Sequence, residues 1–281
     1  MNHLLKAATV FGFATVALFG CMNYGSKDHD SSKYDLKSLD NGRDSASNEE
    51  GNYRYEKRTY KLENAEKSRL DLSFPAGYFN VTGGSANLLE GKFKFRKDKW
   101  ELESSRELNN RLAEVEVKLN KTRDFDVNNE KNVANIAVNS QIPMELELSF
   151  GAGEGRFNFE LTQLTRAKFE LGAGEFEIKL GSSALHELEV NAGVGKGTID
   201  LTGGWNQDLD ADLSCGIGEL TLILPANTGV RVVVHGLIGD ISHFGLERDE
   251  NSYTNDSYKK SAHTIEITVN GGIGSLHMKV E

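Results

Sequence analysis

The stretch FELGAGEFEIKL, residues 169–180, decides the architecture. Phe169, Leu171 and Ala173 share one parity, and Phe176, Ile178 and Leu180 share the other. Apolar residues two apart mark a half-buried strand. The change of parity across Gly174-Glu175 is what a bend between two strands requires, because glycine takes up backbone angles that other residues avoid. The stretch therefore predicts two strands meeting at a glycine corner. Phe169, Leu171, Ala173, Phe176, Ile178 and Leu180 are expected to face a core, and Glu170, Glu177 and Lys179 to face water.

Working outward, the same pattern recurs. It reads LELSFGAGEGRFNFEL from Leu146, LEVNAGVGKGTIDL from Leu188 and LSCGIGELTLIL from Leu213. Two further copies are VVVHGLIGDISHF from Val232 and IEITVNGGIGSLHMKV from Ile265. The small or branched residue at each corner is Ala152, Ala173, Val194, Ile217, Ile238 and Ile273, at intervals of 21, 21, 23, 21 and 35. Beside these markers lie the expected corner glycines, Gly153, Gly174, Gly195, Gly218, Gly239 and Gly274. A unit this short cannot bury its apolar face alone. Stacking units in parallel, each marker over the last, makes one continuous core. A tandem of separate hairpins would instead need a turn signal between each pair of strands. The expectation is an all-β, parallel β-solenoid (β-helix) with sequential rungs over 141–281, its markers Val194 and Ile217 facing inward like Ala173.

A seventh copy, LDLSFPAGYFNVTGG from Leu70, aligns Ala76 with Ala152. Alternating runs KFKFRKDKWELE and LAEVEVKL follow it, so residues 53–140 are expected to form an N-terminal cap and first rung, with Trp100 over the open end. Exposed ends of such a stack invite further pairing, which a cap prevents. The 35-residue interval contains an insertion across residues 246–262, polar in composition. Per-repeat insertions become loops on one face, so Glu247, Tyr253 and Tyr258 are the expected residues of a partner-binding loop.

The chain starts with a short basic segment, an apolar run from Ala7 to Gly20, and then Cys21. That is the form of a secretory signal, too short for a permanent span of about 20 residues. Leu18-Phe19-Gly20-Cys21 resembles the lipobox of bacterial lipoproteins; an ordinary signal peptide with a chance cysteine is the alternative. The resemblance implies cleavage of residues 1–20 and a diacylglycerol with palmitate-type chains on Cys21. Residues 21–52, rich in Ser, Asp, Asn, Lys and Gly, then read as a disordered tether. The chain would be anchored to a cell membrane or outer membrane on its periplasmic or extracellular face, and Met22 in place of Asp favours the outer one. Cys215, left without a disulfide partner, sits in an apolar strand and reads as a buried small hydrophobe.

The net charge is −10, and loss of Lys6 with the signal takes it to −11. An acidic body argues against electrostatic binding of nucleic acid or anionic lipid. The Gly-rich corners do not fit nucleotide motifs. AGVGKGT follows Lys196 with Gly197 rather than Ser or Thr, and GAGEGR opens a strand rather than a helix. GGIGSL lacks the acidic calcium ligand, and His186-Glu187 lacks a second His at zinc spacing. His235 and His243 lie near one corner as a remote metal pair. Outward carboxylates Glu147, Glu170, Glu177, Glu189, Asp200 and Asp212 leave one enzymatic alternative, a carbohydrate-active face, by fold analogy alone. The sequence otherwise points to no catalytic residue, no cofactor and no metal.

The run LDLSFPAGYFNVTGGSANLLEGKFKF, with LELSFGAGEGRFNF, FELGAGEFEIKL and ITVNGGIGSLHMKV in the same order, resembles the toast-rack domain across most of 65–281. The resemblance implies a right-handed β-solenoid without established enzymatic activity. Related domains close LiaF-type and PspC-type proteins of envelope-stress signalling, which usually carry transmembrane helices; this chain offers only a lipid anchor. No site residue is carried over, since the shared motif is glycine and core. The resulting expectation is a non-catalytic envelope scaffold or binding module with an envelope-protein partner, or a regulatory subunit of a stress sensor.

Overall fold

The structure is a computed structural model that describes residues 45–122, 131–181, 184–236 and 238–281. All of these belong to one compact unit, residues 36–281. The expected signal segment and Cys21 lie outside the described residues. The described chain is entirely strand and connection. In order come β1 (Ser45–Glu50), β2 (Tyr53–Tyr60), β3 (Lys67–Ser85), β4 (Leu89–Arg96), β5 (Trp100–Asn109), β6 (Leu112–Lys121), β7 (Val133–Asn139) and β8 (Pro143–Asn158). Then follow β9 (Gln163–Lys179), β10 (Glu187–Asp200), β11 (Leu209–Leu224), β12 (Gly229–His235), β13 (Ile238–Phe244), β14 (Glu247–Asp249), β15 (Ser252–Thr254) and β16 (Thr264–Val280).

Long bent strands β3, β8, β9, β10, β11 and β16 pair in parallel, side by side. Their register is the one that the repeat predicts: Ala76, Ala152, Ala173, Val194, Ile217 and Ile273 are successive partners. In-register pairing is enforced by the alternation, since a slip of one residue would turn every apolar side chain to water. One buried column runs Leu72, Leu148, Phe169, Val190, Leu213, Val269, Val234, on the limb before the corner. A second, on the limb after it, runs Val81, Phe157, Ile178, Ile199, Leu222, Met278. Each such side chain contributes roughly 1.5–3 kcal/mol by leaving water, and neighbours in one column desolvate one another.

The two ends are finished with antiparallel strands. At the first, β6 pairs with residues 67–73 of β3 and β7 with residues 78–85. Beyond them β5 lies antiparallel to β6, β4 to β7, β2 to β4 and β1 to β2. Trp100, at the start of β5, is buried in the core. Strand starts at Ser45, eight residues inside the expected tether; hairpin pairing with β2 is made by backbone groups and needs no apolar content.

The far end departs from the expected sequential order. β16, the last strand, sits between β11 on one side and β12 with β13 on the other. The insertion that precedes it is no projecting loop. It folds back as β14–β15, with β15 antiparallel to β12. Buried Asn255 pins this excursion: its amide donates to the carbonyls of Pro225 (3.0 Å) and Thr228 (2.8 Å), and its Oδ1 accepts from the Val230 amide at 2.9 Å. Strand order is set by such long-range bonds, which repeat spacing does not carry.

Candidate binding surface

Gly153, Gly174, Gly195, Gly218, Gly274 and Gly239 stand in one column, each with positive φ between 129° and 154°. At Gly195 (φ 143°) a Cβ would collide with the carbonyl oxygen of Gly174, and at Gly218 with that of Gly195. The close approach of corner to corner therefore needs glycine on both steric and torsional grounds. A second column, Gly151, Gly172, Gly193, Gly216 and Gly272, lies on the other side of the markers and meets the same obstacle.

Between these glycine columns the markers point out, not in. Val194 is 54% exposed, Ile217 56%, Ile273 56% and Ile238 69%, and Ala173 is exposed too. This corrects the expectation that Ala173, Val194 and Ile217 face the core. Two-residue alternation holds along a regular strand, but a positive-φ glycine resets the pleat, so the middle residue of G-x-G lands on the convex side. Its glycine neighbours have no side chains to cover it. At the first rung Ala76 is instead buried, because Asn132 crosses it and donates from Nδ2 to the Ala76 carbonyl at 3.2 Å. The line thus emerges at half-buried Ala152, is exposed from Ala173 on, and grows from Ala through Val to Ile. With strands about 4.8 Å apart, six rungs make a ridge of roughly 24 Å. A continuous apolar line on an acidic surface is a mark of an interaction site.

Charge borders the ridge. Glu175, Lys196 and Glu219 are successive partners just past the corner, and Lys196 Nζ lies 2.9 Å from the Glu219 carboxylate. Beneath the corner is a narrow cavity of about 40 Å³ lined by Leu171, Phe176, Ala192, Cys215, Leu220 and Leu276 among others. Burial pushes the Cys215 thiol up to about 11, so it stays protonated and unreactive at neutral pH.

The flat face before the corner carries the outward carboxylates as an ion-pair ladder. Lys168 bridges Glu170 (3.2 Å) and Glu189 (3.3 Å), and these two, in that order, hold its ammonium above the ordinary lysine range. Asn191 donates to the same two carboxylates at 3.0 and 2.8 Å. Arg69 joins Glu145 and Glu114, and Arg166 joins Glu187. On the other limb Glu177 meets Lys179, and Asp200 accepts from Thr202. These are solvated pairs along a strand surface, each worth about 0–1 kcal/mol. Among the described residues no three His, Cys, Asp or Glu side chains gather to hold a metal.

The expected partner-loop residues do not form one exposed group. Glu247 is exposed on β14. Tyr253 is 1% exposed, its ring 5.1 Å from that of His243 and 5.6 Å from the Arg248 guanidinium. Tyr258 donates its hydroxyl to Glu266 at 3.2 Å, and burial followed by that carboxylate raises its pKa. Tyr253 is thus core rather than display, because β15 covers the end of the apolar columns. His243 occupies the column position next to Met278, with Nδ1 3.2 Å from the Leu246 carbonyl, and His235 lies across the corner beside Asn270. Sequence reasoning missed the exposed Phe244 and Ile238 of β13. The signal was present in the drift of corner residues from Ala to Ile, which a buried position of fixed volume would not tolerate.

A family described as the N-terminal domain of toast-rack matches residues 47–184 and again residues 169–223. Two overlapping matches fit a chain whose rungs repeat. Among solved structures, a proposed cell adhesion protein from Clostridium sporogenes is 26% identical, with a TM-score of 0.63 over 82% of this chain and 100% of its own. A proposed adhesin from Bacteroides fragilis is 10% identical over 80% of this chain and 96% of its own, at a TM-score of 0.31, too distant to bear on function. No curated protein matches the chain in sequence.

Proposed function

Because the chain belongs to the toast-rack N-terminal domain family, we propose that it is a non-catalytic cell-envelope module that binds a partner along its corner ridge. The observation that carries this reading is the row Val194, Ile217, Ile273 and Ile238, all more than half exposed on a chain of net charge −10. Ordinary folding pressure would bury or shorten such residues; a partner gives them a use. The in-register ladder holds the ridge rigid, so binding costs little ordering entropy. Of the carboxylates that would serve a glycan-cleaving face, Glu170, Glu189 and Glu177 are held in solvated ion pairs with Lys168 and Lys179, which argues against catalysis. The similar Clostridium sporogenes protein, described as a proposed cell adhesion protein, fits a surface role.

In this reading the parallel rungs wind as a right-handed solenoid, the hand that parallel crossovers take in about 98% of cases. A diacylglycerol on Cys21 tethers the body through residues 22–44 to the outer side of a membrane, the outer membrane by preference. The partner is an envelope protein with a complementary apolar groove; components of envelope-stress sensing are the first class to test, by family resemblance.

The experiment is cross-linking in living cells from a photoreactive residue at Ile217, with a Cys21→Ala control. A discrete envelope protein captured only with the anchor intact, and lost in Val194→Asp/Ile273→Asp, supports the reading. Capture that is indifferent to those two substitutions removes the ridge from it.

A further inference from the structure

Four strands have an unpaired outer edge among the described residues: β1 and β5 at the first end, β14 and β13 at the last. Free edges are normally protected by charge or brevity. β5 carries Glu101, Glu103, Arg106 and Glu107; β14 is Glu247-Arg248-Asp249; β1 reads SASNEE. β13 has neither protection. It is seven residues long, IGDISHF, with one acid, no lysine and no proline, and its Ile238 and Phe244 are 69% and 75% exposed. From this edge we infer a homodimer: two copies of the chain pair β13 to β13, antiparallel, about a two-fold axis through Ile241.

The register follows from the faces. Opposed residues in an antiparallel pair project to the same side of the sheet. By parity Ile238, Asp240, Ser242 and Phe244 share the outer face, while Gly239, Ile241 and His243 continue the inward columns of Gly274, Leu276 and Met278. An axis between two residues would set outer side chains against inner ones, so it passes through a residue. Centred on Asp240, it opposes two aspartates. Centred on Ser242, it opposes Asp240 to Phe244 of the second copy. Centred on Ile241, it opposes Ile238 to Phe244 twice over, Asp240 to Ser242 twice over, and Ile241 to itself. Of the three, this register buries both exposed apolar side chains and brings no like charges together. The interface is isologous and uses the end that lacks a full cover, so assembly closes at two copies and makes no filament.

The test is oxidative cross-linking of the lipid-anchored full chain in its membrane, in a Cys215→Ser background. Opposed Cα atoms about 4.5–5.5 Å apart lie within disulfide reach of about 4.4–6.8 Å. Ile241→Cys is expected to give a covalent dimer. Asp240→Cys and Ser242→Cys are expected to cross-link to one another when co-expressed and poorly each with itself. Ile238→Lys with Phe244→Lys alters exposed side chains only, and is expected to lower the Ile241→Cys dimer at least tenfold. The inference is overturned if Ile241→Cys stays monomeric, if it couples to another protein instead, or if exposed Leu161→Cys dimerises equally well. It is equally overturned if the lysine pair leaves the yield unchanged or Asp240→Cys dimerises alone as efficiently.

Discussion

The two ends of the ladder solve one problem differently. At the first end the last full rung, β3, is flanked by β6 on one limb and β7 on the other, and each of these is covered in turn by an antiparallel strand. At the other end the split is the same, into β12 and β13, but among the described residues only β12 receives a cover. Both designs stop parallel growth, since an antiparallel strand presents the wrong polarity to a following rung. The difference lies in what remains. The first end finishes in charged strands over buried Trp100. The last finishes with one limb sealed by Tyr253 and Asn255 and the other bare, next to the widest part of the apolar ridge. Among the described residues, antiparallel strands cover both limbs at one end and one limb alone at the other.

The largest effect bears on the reference between the two ends. Gly195→Val would force a branched side chain into the Gly174 carbonyl at φ 143°, and loss of soluble folded protein is expected, against near-neutrality for Gly204→Ala, where a Cβ meets nothing within 4 Å. Expression and circular dichroism check it. Trp100→Ala at the covered end is expected to cost about 3–5 kcal/mol, read from the urea midpoint. At the half-covered end, Asn255→Ala orphans two carbonyls and an amide and is expected to cost about 2–3 kcal/mol. Hydrogen exchange should then speed up in β12 and β15 while β8 and β9 stay protected; uniform acceleration would show that the two ends do not open separately.

The middle of the ladder supplies a pH test. The Cys215 thiol is raised from 9.0 to about 11 by burial. A raised acid means that the unfolded chain loses its proton first, so stability is level below about pH 9 and falls as pH climbs towards 11. The fall is about 2–3 kcal/mol over that window, and Cys215→Ala should remove that part of it in paired urea titrations. The smallest effect belongs to the bare limb. Phe244→Ala should change monomer stability by less than about 0.5 kcal/mol, in contrast to Trp100→Ala; a cost of several kcal/mol would break the comparison between the ends.

Much of this was legible in the residues. The intervals between Ala152, Ala173, Val194 and Ile217 are the strand register, because stacked rungs of one length can only meet marker to marker. The glycines beside them are the corner, because no other residue carries that torsion so close to a neighbouring carbonyl. The direction of the marker side chains was not legible, since parity arguments fail at the bend itself. Nor was the burial of Tyr253, which sits in a polar segment and is covered by partners distant in sequence. The insertion of β16 between β11 and β12 was hidden for the same reason: a repeat reports what can pair with what, and not in which order.

That insertion has a consequence for how the chain comes to be folded. β11 and β12 do not pair with one another; residues 264–280, which follow both in the chain, are the ones that join the final limbs to the rest. A chain cut short anywhere before them would expose two parallel edges at once, with Leu213, Leu222 and Val232 open to water. Rung-by-rung growth from the start of the chain can run ahead of synthesis only as far as β11. Native completion of this end therefore waits on β16, and a chain cut before it would carry an unfinished edge.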